Sequence, residues 1–463
     1  MGRRLTPEEQ QARDERRQKA RINGLTPETF WDGRPALSLI RNAAQARGVG
    51  RWAVLAACLA RIATLVPVTT VLPGPPAYAS LNYFVVIAAE SSGGKSAAQA
   101  LARELVAIDG VPTLPLSTGQ GITAQFVKYV AAKPGNKKED VPPVAAHLER
   151  VNTSVLFSVD EIGDIAAKTS SGGNNLMPVI RTAWGAEVQG SSTATRDNNL
   201  HLEPHTYRMG LIINTQLGAS RFLLSDSDTG TPQRFLFVPA VDNSGFAREQ
   251  IMNMPLSDLA LSGEAVEPIE HDLALQALGE TDLAEPYKHP VRVCATARLT
   301  SARNLTLGNS GFDPEYPAHH LLNRLKTACL LSFLCGENGD VTEEFWALAG
   351  IVMAVSENTK KMLAEHAERE EREEAEKRGR NNAIVQEAQR DAEADAEEKK
   401  LANARVRTLS LLRERPMTRR EFQQKFNKRT RAYAMQALEI LTEEGIAGLI
   451  EDKLVLLEDE GQS

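Results

Sequence analysis

Two periodicities divide the first half of the chain into strands and helices. Short runs rich in apolar residues predict buried strands at 83–88, 111–117, 154–160, 208–214 and 234–239. Apolar residues that recur every three or four positions predict helices between the first four of these runs, at about 96–108, 120–132 and 175–184. Because strands that alternate with helices usually form a parallel sheet covered on its faces, the pattern predicts an α/β core.

Helical spacing continues on both sides of this core. Residues 26–67 predict a small helical layer, and residues 255–362 are mostly helical in pattern. Residues 363–400 carry thirteen Asp/Glu and eight Lys/Arg without an aromatic residue, which favours a solvated helical spacer over a coiled-coil arm. Residues 134–150 contain three prolines and a glycine, which predict a surface loop.

These patterns divide the chain into six regions. In order, they are a charged helical arm, an N-terminal helical region, the α/β core, a helical lid region, a charged helical linker and a compact last domain: 1–25, 26–76, 77–243, 244–362, 363–400 and 401–463. A length of 463 residues, with 42% hydrophobic and 24% charged residues, fits a globular protein of two or three domains.

Charge is distributed unevenly along a chain whose net charge is −7. Residues 405–431 contain ten Lys/Arg against two Asp/Glu, which predicts a local anionic partner.

The four cysteines are scattered without metal-ligand spacing, which favours reduced thiols. The apolar stretch 53–72 contains Arg61 and Pro67 and predicts a buried helix and a loop instead of a membrane span. With no signal-peptide pattern at the N-terminus, we expect a cytoplasmic protein without membrane contact.

A phosphate-binding pattern directly follows the run 83–88. The sequence AESSGGKS, residues 89–96, matches G-x-x-x-x-G-K-[ST] except at its first position, where Ala89 replaces glycine. Backbone amides at the start of the next helix would bind the phosphates of ATP, Lys95 would neutralise the β- and γ-phosphates, and Ser96 would offer its hydroxyl to Mg²⁺. The predicted nucleotide-binding residues are Glu90, Ser91, Ser92, Gly93, Gly94, Lys95, Ser96 and Ala97. The alternative is a Gly/Ser-rich turn with an exposed lysine.

Three later strands add polar residues at positions where catalytic groups are expected. Asp160 and Glu161 end an apolar strand, as in a Walker B motif, and would hold Mg²⁺ and orient the attacking water, respectively. Asn214, with Gln216 beyond it, ends the next strand and could sense the γ-phosphate. Arg234 precedes the fifth strand and would reach a neighbouring subunit's nucleotide. The alternatives are a solvated turn for the acidic pair, an amide that bonds its own turn for Asn214, and a surface salt bridge for Arg234.

The order of these motifs resembles that of AAA+-like P-loop ATPases of the primase-helicase, superfamily 3-like kind from phages and integrated elements, especially of actinobacteria. The resemblance covers roughly residues 30–360 and is carried by AESSGGKS, VLFSVDEIGD, LIINTQ and GTPQRF. It implies a ring, commonly hexameric, that threads or melts DNA. By position, the family roles would fall to Lys95, Ser96, Asp160, Glu161, Asn214 and Arg234.

This sequence departs from the family pattern in two ways. Ala89 replaces the first P-loop glycine, and no second-sensor arginine can be assigned, with Arg324 and Lys326 candidates by location alone. A RecA-like core with a different strand order remains an alternative.

A polar segment between the acidic pair and the next strand is the first candidate DNA contact. Residues 185–199 predict a hairpin or loop, and in superfamily 3 helicases an insertion at this place enters the ring channel and grips the DNA backbone. Arg196, with Lys168 and Arg181, supplies the candidate charges. An ordinary surface loop is the alternative.

The last domain has the pattern of a winged helix. Helices at 402–414, 419–426 and 430–444 are followed by two short strands. Thr430 and Arg431 begin the third helix and could enter a major groove. The candidate phosphate contacts are Arg419, Arg420, Lys425, Lys428 and Arg429. Winged helices also dock proteins, which is the alternative.

Together these features predict an ATP-hydrolysing DNA motor, a ring-forming helicase or translocase that replicates a phage or mobile element. One alternative is an ATP-switched initiator or helicase loader. Another is a non-catalytic DNA-binding subunit in which the Ala89 loop has lost turnover. The sequence contains no primase or nuclease signature.

Overall fold

The structure, a computed structural model, divides into two compact units, residues 1–369 and 370–463. It describes residues 22, 24–74, 77–90, 93–116, 118–134, 143–163, 165, 176–190, 199–224, 230–241, 268–271, 273 and 287–457.

The described residues form eleven α-helices and thirteen strands. The helices are α1 Pro35–Ala46, α2 Arg51–Leu65, α3 Lys95–Leu105, α4 Gly119–Ala124, α5 Leu176–Gly185, α6 Arg221–Leu224, α7 Ala295–Asn309, α8 Ala318–Leu334, α9 Glu343–Glu414, α10 Arg419–Gln424 and α11 Arg431–Glu443. The strands are β1 Thr70–Val71, β2 Tyr83–Ala88, β3 Thr113–Pro115, β4 Val127–Val130, β5 His147–Arg150, β6 Ser154–Val159, β7 Gln189–Gly190, β8 His201–Leu202, β9 Arg208–Thr215, β10 Phe235–Pro239, β11 His289–Pro290, β12 Ala447–Ile450 and β13 Lys453–Leu456.

Five parallel strands form the central sheet of the first unit, in the order β10-β2-β9-β6-β3. All five predicted strands are present, although β3 is shorter than its apolar run. Every residue of β2 and β9 is buried, which explains why these strands lack alternating polar positions. The predicted α/β core with a parallel sheet is confirmed. Because β9 lies between β2 and β6, residues that follow these three strands share one edge of the sheet.

Helices cover both faces of this sheet. Helix α2 is buried almost throughout and crosses β9, where a Cβ on Gly210 would lie only 2.8 Å from the Ala60 carbonyl oxygen. Glycine at this position therefore allows the helix to approach the strand closely. The prediction that residues 53–72 contain a buried helix is confirmed, and none of the helices in the described ranges is long and apolar enough to cross a membrane.

Two predictions for the segment between β3 and β6 are wrong in part. The predicted helix 120–132 ends at Ala124, and the predicted loop 134–150 includes β5, which pairs with β4 in an antiparallel ladder. Residues 135–142 of that loop lie outside the described residues. The β-branched and aromatic residues of β4 satisfy their backbone groups across the ladder, which outweighs the local helical spacing.

The amino-terminal end of the sheet contains two buried cations. Arg208, at the start of β9, is fully buried and donates hydrogen bonds to the carbonyl oxygens of Val66, Pro67 and Thr70 at 2.6–3.2 Å. Lys326 of α8 donates to the carbonyl oxygens of Asn82 and Trp184, each at 2.8 Å. Burial lowers the pKa of Arg208 to about 9 and that of Lys326 well below its ordinary value.

The second unit contains the end of α9, α10, α11 and the antiparallel hairpin β12–β13 around its own core. Thr418 begins α10 with a capping box in which its side chain and that of Glu421 bond each other's backbone N–H groups. Residues 368–400 are helical and exposed at every position, as expected for a solvated charged helix.

Candidate functional site

The loop between β2 and α3 carries the predicted phosphate-binding residues. Gly94 has a φ of 76°, in the left-handed region that favours glycine, and α3 begins directly after it at Lys95. The Ala89 N–H donates to the Thr215 carbonyl oxygen at 3.2 Å, which ties the start of the loop to β9. Ser96 and Ala97 are exposed in the first turn of α3, whereas Ser91 and Ser92 lie outside the described residues.

Ala89 fits this loop because residue 93 is glycine. Ala89 is absent from the described residues with positive φ, so its backbone needs no glycine. A Cβ on Gly93, however, would lie 2.4 Å from the Ala89 Cβ and 3.0 Å from the Glu90 carbonyl oxygen. The alanine at the first motif position therefore occupies the space that a side chain at position 93 would need.

The Lys95 side chain folds back onto its own loop. Its Nζ donates hydrogen bonds to the carbonyl oxygens of Ala89 at 3.1 Å and Glu90 at 2.8 Å. Burial lowers the pKa of Lys95, and the carboxylates of Glu161 and Glu90 partly offset this effect. The ammonium thus sits over the loop in the electrostatic field of the acidic residue that follows β6.

Asp160 and Glu161 follow β6 at the same edge of the sheet, and both are exposed. The Glu161 Oε1 accepts a hydrogen bond of 2.7 Å from the Gln216 Nε2, which lies just beyond β9. One predicted catalytic carboxylate is therefore oriented by an amide from the neighbouring strand.

A buried polar chain connects α3 with the ends of β6 and β9. The Ser158 Oγ donates to the Gln99 Oε1 at 3.1 Å, and the Gln99 Nε2 donates to the Asn214 Oδ1 at 2.9 Å. Asn214 is 1% exposed, and its Nδ2 has no hydrogen-bond partner within the described part of the chain. Buried polar groups are nearly always hydrogen-bonded, so an amide with donor capacity at this place is a candidate binding group.

Sequence reasoning missed Gln99 and Ser158, although weak signals were present. Ser158 interrupts an apolar strand, and Gln99 follows Lys95 by one helical turn on the buried face of α3. His366 of α9 was also missed; its Nε2 lies 3.7 Å from the Glu90 Oε1. Nothing in the charged run around His366 indicates this contact with the loop.

Arg234 lies at the amino end of β10, opposite the edge that carries Lys95. Its Nη1 donates to the Gly230 carbonyl oxygen at 2.9 Å, and the guanidinium carbon lies 5.8 Å from the centre of the Trp184 ring. The side chain is half-buried in this arrangement. Contact with a neighbour's nucleotide would require it to leave both groups, so its role in trans stays a prediction.

The two candidates for a second-sensor cation are engaged elsewhere. Lys326 contacts Asn82, which precedes β2 and therefore lies at the opposite end of the strand from the β2–α3 loop. Arg324 donates from Nε and Nη2 to the Trp346 carbonyl oxygen at 3.2 and 3.0 Å and stacks over that indole ring. Both cations therefore stabilise the packing of α8, and a role of either as a second sensor stays a prediction.

The candidate DNA contacts of the first unit are partly described. β7 and β8 form an antiparallel pair at the base of the predicted hairpin, beside a cavity of about 750 Å³ lined by Tyr129, His147 and His201. Arg181 donates to the Thr231 Oγ1 at 3.1 Å. Arg196 and Lys168 lie outside the described residues.

The candidate DNA contacts of the second unit are all exposed, and one of them, Arg431, also bonds the backbone. Arg419, Arg420, Lys425, Lys428 and Arg429 are exposed. Arg431 donates from Nε to the Gln423 carbonyl oxygen at 3.1 Å and from Nη2 to that of Phe426 at 3.4 Å. Its guanidinium therefore braces the turn between α10 and α11.

Comparisons with known proteins give no independent assignment. No model of a protein family matches the chain, and no curated protein matches it. Function is therefore inferred from the side chains at the carboxyl edge of the sheet.

Proposed function

We propose that this protein is a P-loop ATPase of the AAA+-like kind that binds ATP at the β2–α3 loop and hydrolyses it. One observation carries the proposal. Lys95, Glu161 and Asn214 come from three distant parts of the sequence and gather at one sheet edge, where Gln216 and Gln99 orient the last two by hydrogen bonds. A surface lysine in a Gly/Ser turn needs no such arrangement.

The triphosphate would replace the bonds that Lys95 now makes within the loop. Two carbonyl oxygens hold its ammonium, and a polyanion would compete with them strongly because its charge is greater. Gly94 turns the chain into α3, whose first N–H groups lack intrahelical partners and favour phosphate oxygens. Glu90 to Ala97 would form this cradle.

A magnesium ion fits the oxygen groups at this edge. The Ser96 hydroxyl and the Asp160 carboxylate are exposed there, and Mg²⁺ prefers oxygen ligands together with substrate phosphates. When bound, the ion would neutralise charge on the phosphates.

Glu161 and Asn214 would act on the attacking water and the γ-phosphate. Gln216 bonds one carboxylate oxygen of Glu161, and the other oxygen would accept a proton from water. Asn214 would donate from its unused Nδ2 to a phosphate oxygen or to that water. Gln99 fixes the amide orientation by bonding its Oδ1.

The remaining features support a motor that works on DNA. The β7–β8 pair follows the acidic residues in the chain, where superfamily 3-like enzymes carry a DNA-gripping insertion. The order of helices and hairpin in the second unit supports a winged helix. Arg234 stands at the sheet end away from its own nucleotide loop, so any phosphate contact would be made in a neighbouring subunit of a ring. A loader or initiator would share all these features.

Steady-state ATP hydrolysis, with and without single-stranded DNA, tests the proposal. We expect DNA-stimulated turnover that is lost in Lys95→Ala, and ATP that binds without turnover in Glu161→Gln. Lys361→Ala is the matched control, because this exposed lysine makes only a 3.9 Å contact within α9. An inert wild type would favour the non-catalytic subunit, whereas a Glu161→Gln protein that hydrolyses normally would contradict the role of Glu161. Strand displacement separates a helicase from a loader.

A further inference from the structure

The second unit separates its charges between two groups of elements. Residues 405–431 contain ten Lys/Arg and two Asp/Glu, whereas residues 432–457 contain one and five. The basic part forms the end of α9, α10 and the turn before α11. The acidic part forms α11 and the β12–β13 hairpin. A polyanion would therefore be attracted to one edge of this unit and repelled from the other.

Two of the ten cations in the basic part are ion-paired, Arg405 with Glu444 and Arg415 with Glu421, but five others are not within residues 370–457. Arg419, Arg420, Lys425, Lys428 and Arg429 have exposed side chains, and none has an ion-pair partner among residues 370–457. The turn that carries Lys428 and Arg429 is rigid, because the Asn427 Oδ1 accepts hydrogen bonds from the N–H groups of Arg429 and Thr430, both at 3.0 Å. The backbone of this turn is therefore ordered before any phosphate binds.

Helix α11 exposes two carboxylates on the surface that a groove-reading helix would turn toward DNA. Its exposed residues are Arg431, Ala432, Gln436, Glu439, Thr442 and Glu443, while Ala434, Leu438 and Leu441 pack inward. The one arginine of this helix bonds backbone carbonyls within the unit. Insertion into a major groove would bring two carboxylates between the phosphate backbones, where repulsion opposes binding.

The tip of the hairpin carries one cation beside two acidic residues. Its turn residues are Glu451 and Asp452, both with positive φ, Lys453 after them is exposed, and Leu449 and Ile450 before them are more than half exposed. With two carboxylates beside one ammonium, this end attracts a nucleic-acid backbone less than the basic edge does.

We propose that this unit binds the DNA phosphate backbone through α10 and the α10–α11 turn, with α11 outside the groove, and therefore binds without reading sequence. This inference rests on the proposed function in taking DNA as the partner. The chemistry is that of charge neutralisation by exposed Lys and Arg, so affinity depends on salt and not on base identity.

Salt-dependent binding of the full-length chain to two unrelated duplexes of equal length tests this inference. For Lys428→Ala/Arg429→Ala we expect the slope of log K against log salt to flatten by about 1.8, from roughly 0.9 per phosphate contact. Between 50 and 200 mM salt, the wild type should lose about tenfold more affinity than the variant. Gln436→Ala is the matched control on α11 and should change nothing.

Three results would overturn the inference. They are an unchanged slope in the double variant, a sequence preference that Gln436→Ala removes, and binding to an acidic protein but not to DNA. Lys95→Ala separates this inference from the ATPase proposal, because it should abolish turnover and leave the salt slope intact. A wild type that binds DNA with the expected slope but hydrolyses no ATP would contradict the ATPase proposal alone.

Discussion

Substitution of Gly93 by alanine tests the geometry of the nucleotide loop through a single methyl group. The new Cβ would lie 2.4 Å from the Ala89 Cβ, whereas carbon atoms in contact prefer about 3.5–4.0 Å. The two residues must therefore separate by more than an ångström. Gly93 is outside the left-handed region, so the effect would come from this contact and not from backbone strain.

The expected cost follows from overpacking. Extra methyl groups in a packed site cost about 1–3 kcal/mol, which corresponds to roughly 5- to 150-fold weaker ATP binding if the loop must regain this shape. Ala89→Gly removes the other carbon, so the double variant should recover most of the loss. The 3.0 Å approach to the Glu90 carbonyl oxygen would keep the recovery incomplete.

Binding of a fluorescent ATP analogue to the two single variants, the double variant and the wild type gives the coupling energy. We expect a coupling of about 1–2 kcal/mol between the two positions. Gly308→Ala is the control, because a Cβ there meets no atom within 4 Å. Normal binding by Gly93→Ala, or additive effects of the two changes, would refute the loop geometry.

Three further changes probe the groups around the loop and the sheet. Asn214→Ala should lower turnover about 10²- to 10³-fold with little change in ATP affinity, because the proposal assigns its Nδ2 to the reacting groups. Steady-state kinetics measures this, and equal turnover would contradict the role. Gln216→Leu should lower turnover roughly tenfold through loss of the 2.7 Å bond to Glu161, and an effect on ATP affinity alone would argue against positioning. Burial, with Arg234 and Lys326 nearby, lowers the pKa of His319 from 6.5 to about 4. The neutral side chain therefore contributes stability that is complete above pH 6.5 and is lost as the pH falls toward 4. Urea unfolding across that window should show a shallower decline for His319→Gln than for the wild type, and parallel curves would exclude the effect.

The strands could be predicted because a strand buried on both faces is a nearly continuous apolar run in the sequence. The wholly apolar run of β2 and the buried runs of β6 and β9 need no knowledge of their partners. Their order could not be predicted, since the insertion of β9 between β2 and β6 depends on long-range pairing, for example of Tyr83 with Gly210 and of Ser154 with Arg208. Local patterns carry no information on such pairing.

Residues of the candidate site could be predicted when a sequence motif or strand end marks them. They could not be predicted when only a tertiary contact brings them to the site. Lys95 was marked by its motif, and Asn214 by its place at a strand end. Gln99 became visible only when the packing of α3 brought its amide to Asn214. Lys326 and Arg431 show the same limit, because a cation in a sequence does not reveal which backbone carbonyls it bonds.

Titration calorimetry of the full-length chain with Mg²⁺ and a non-hydrolysable ATP analogue tests nucleotide binding most directly. The account predicts one site per chain in the wild type and no measurable uptake after Lys95→Ala. A wild type that releases no heat at millimolar nucleotide, or a Lys95→Ala protein that binds equally well, would contradict it.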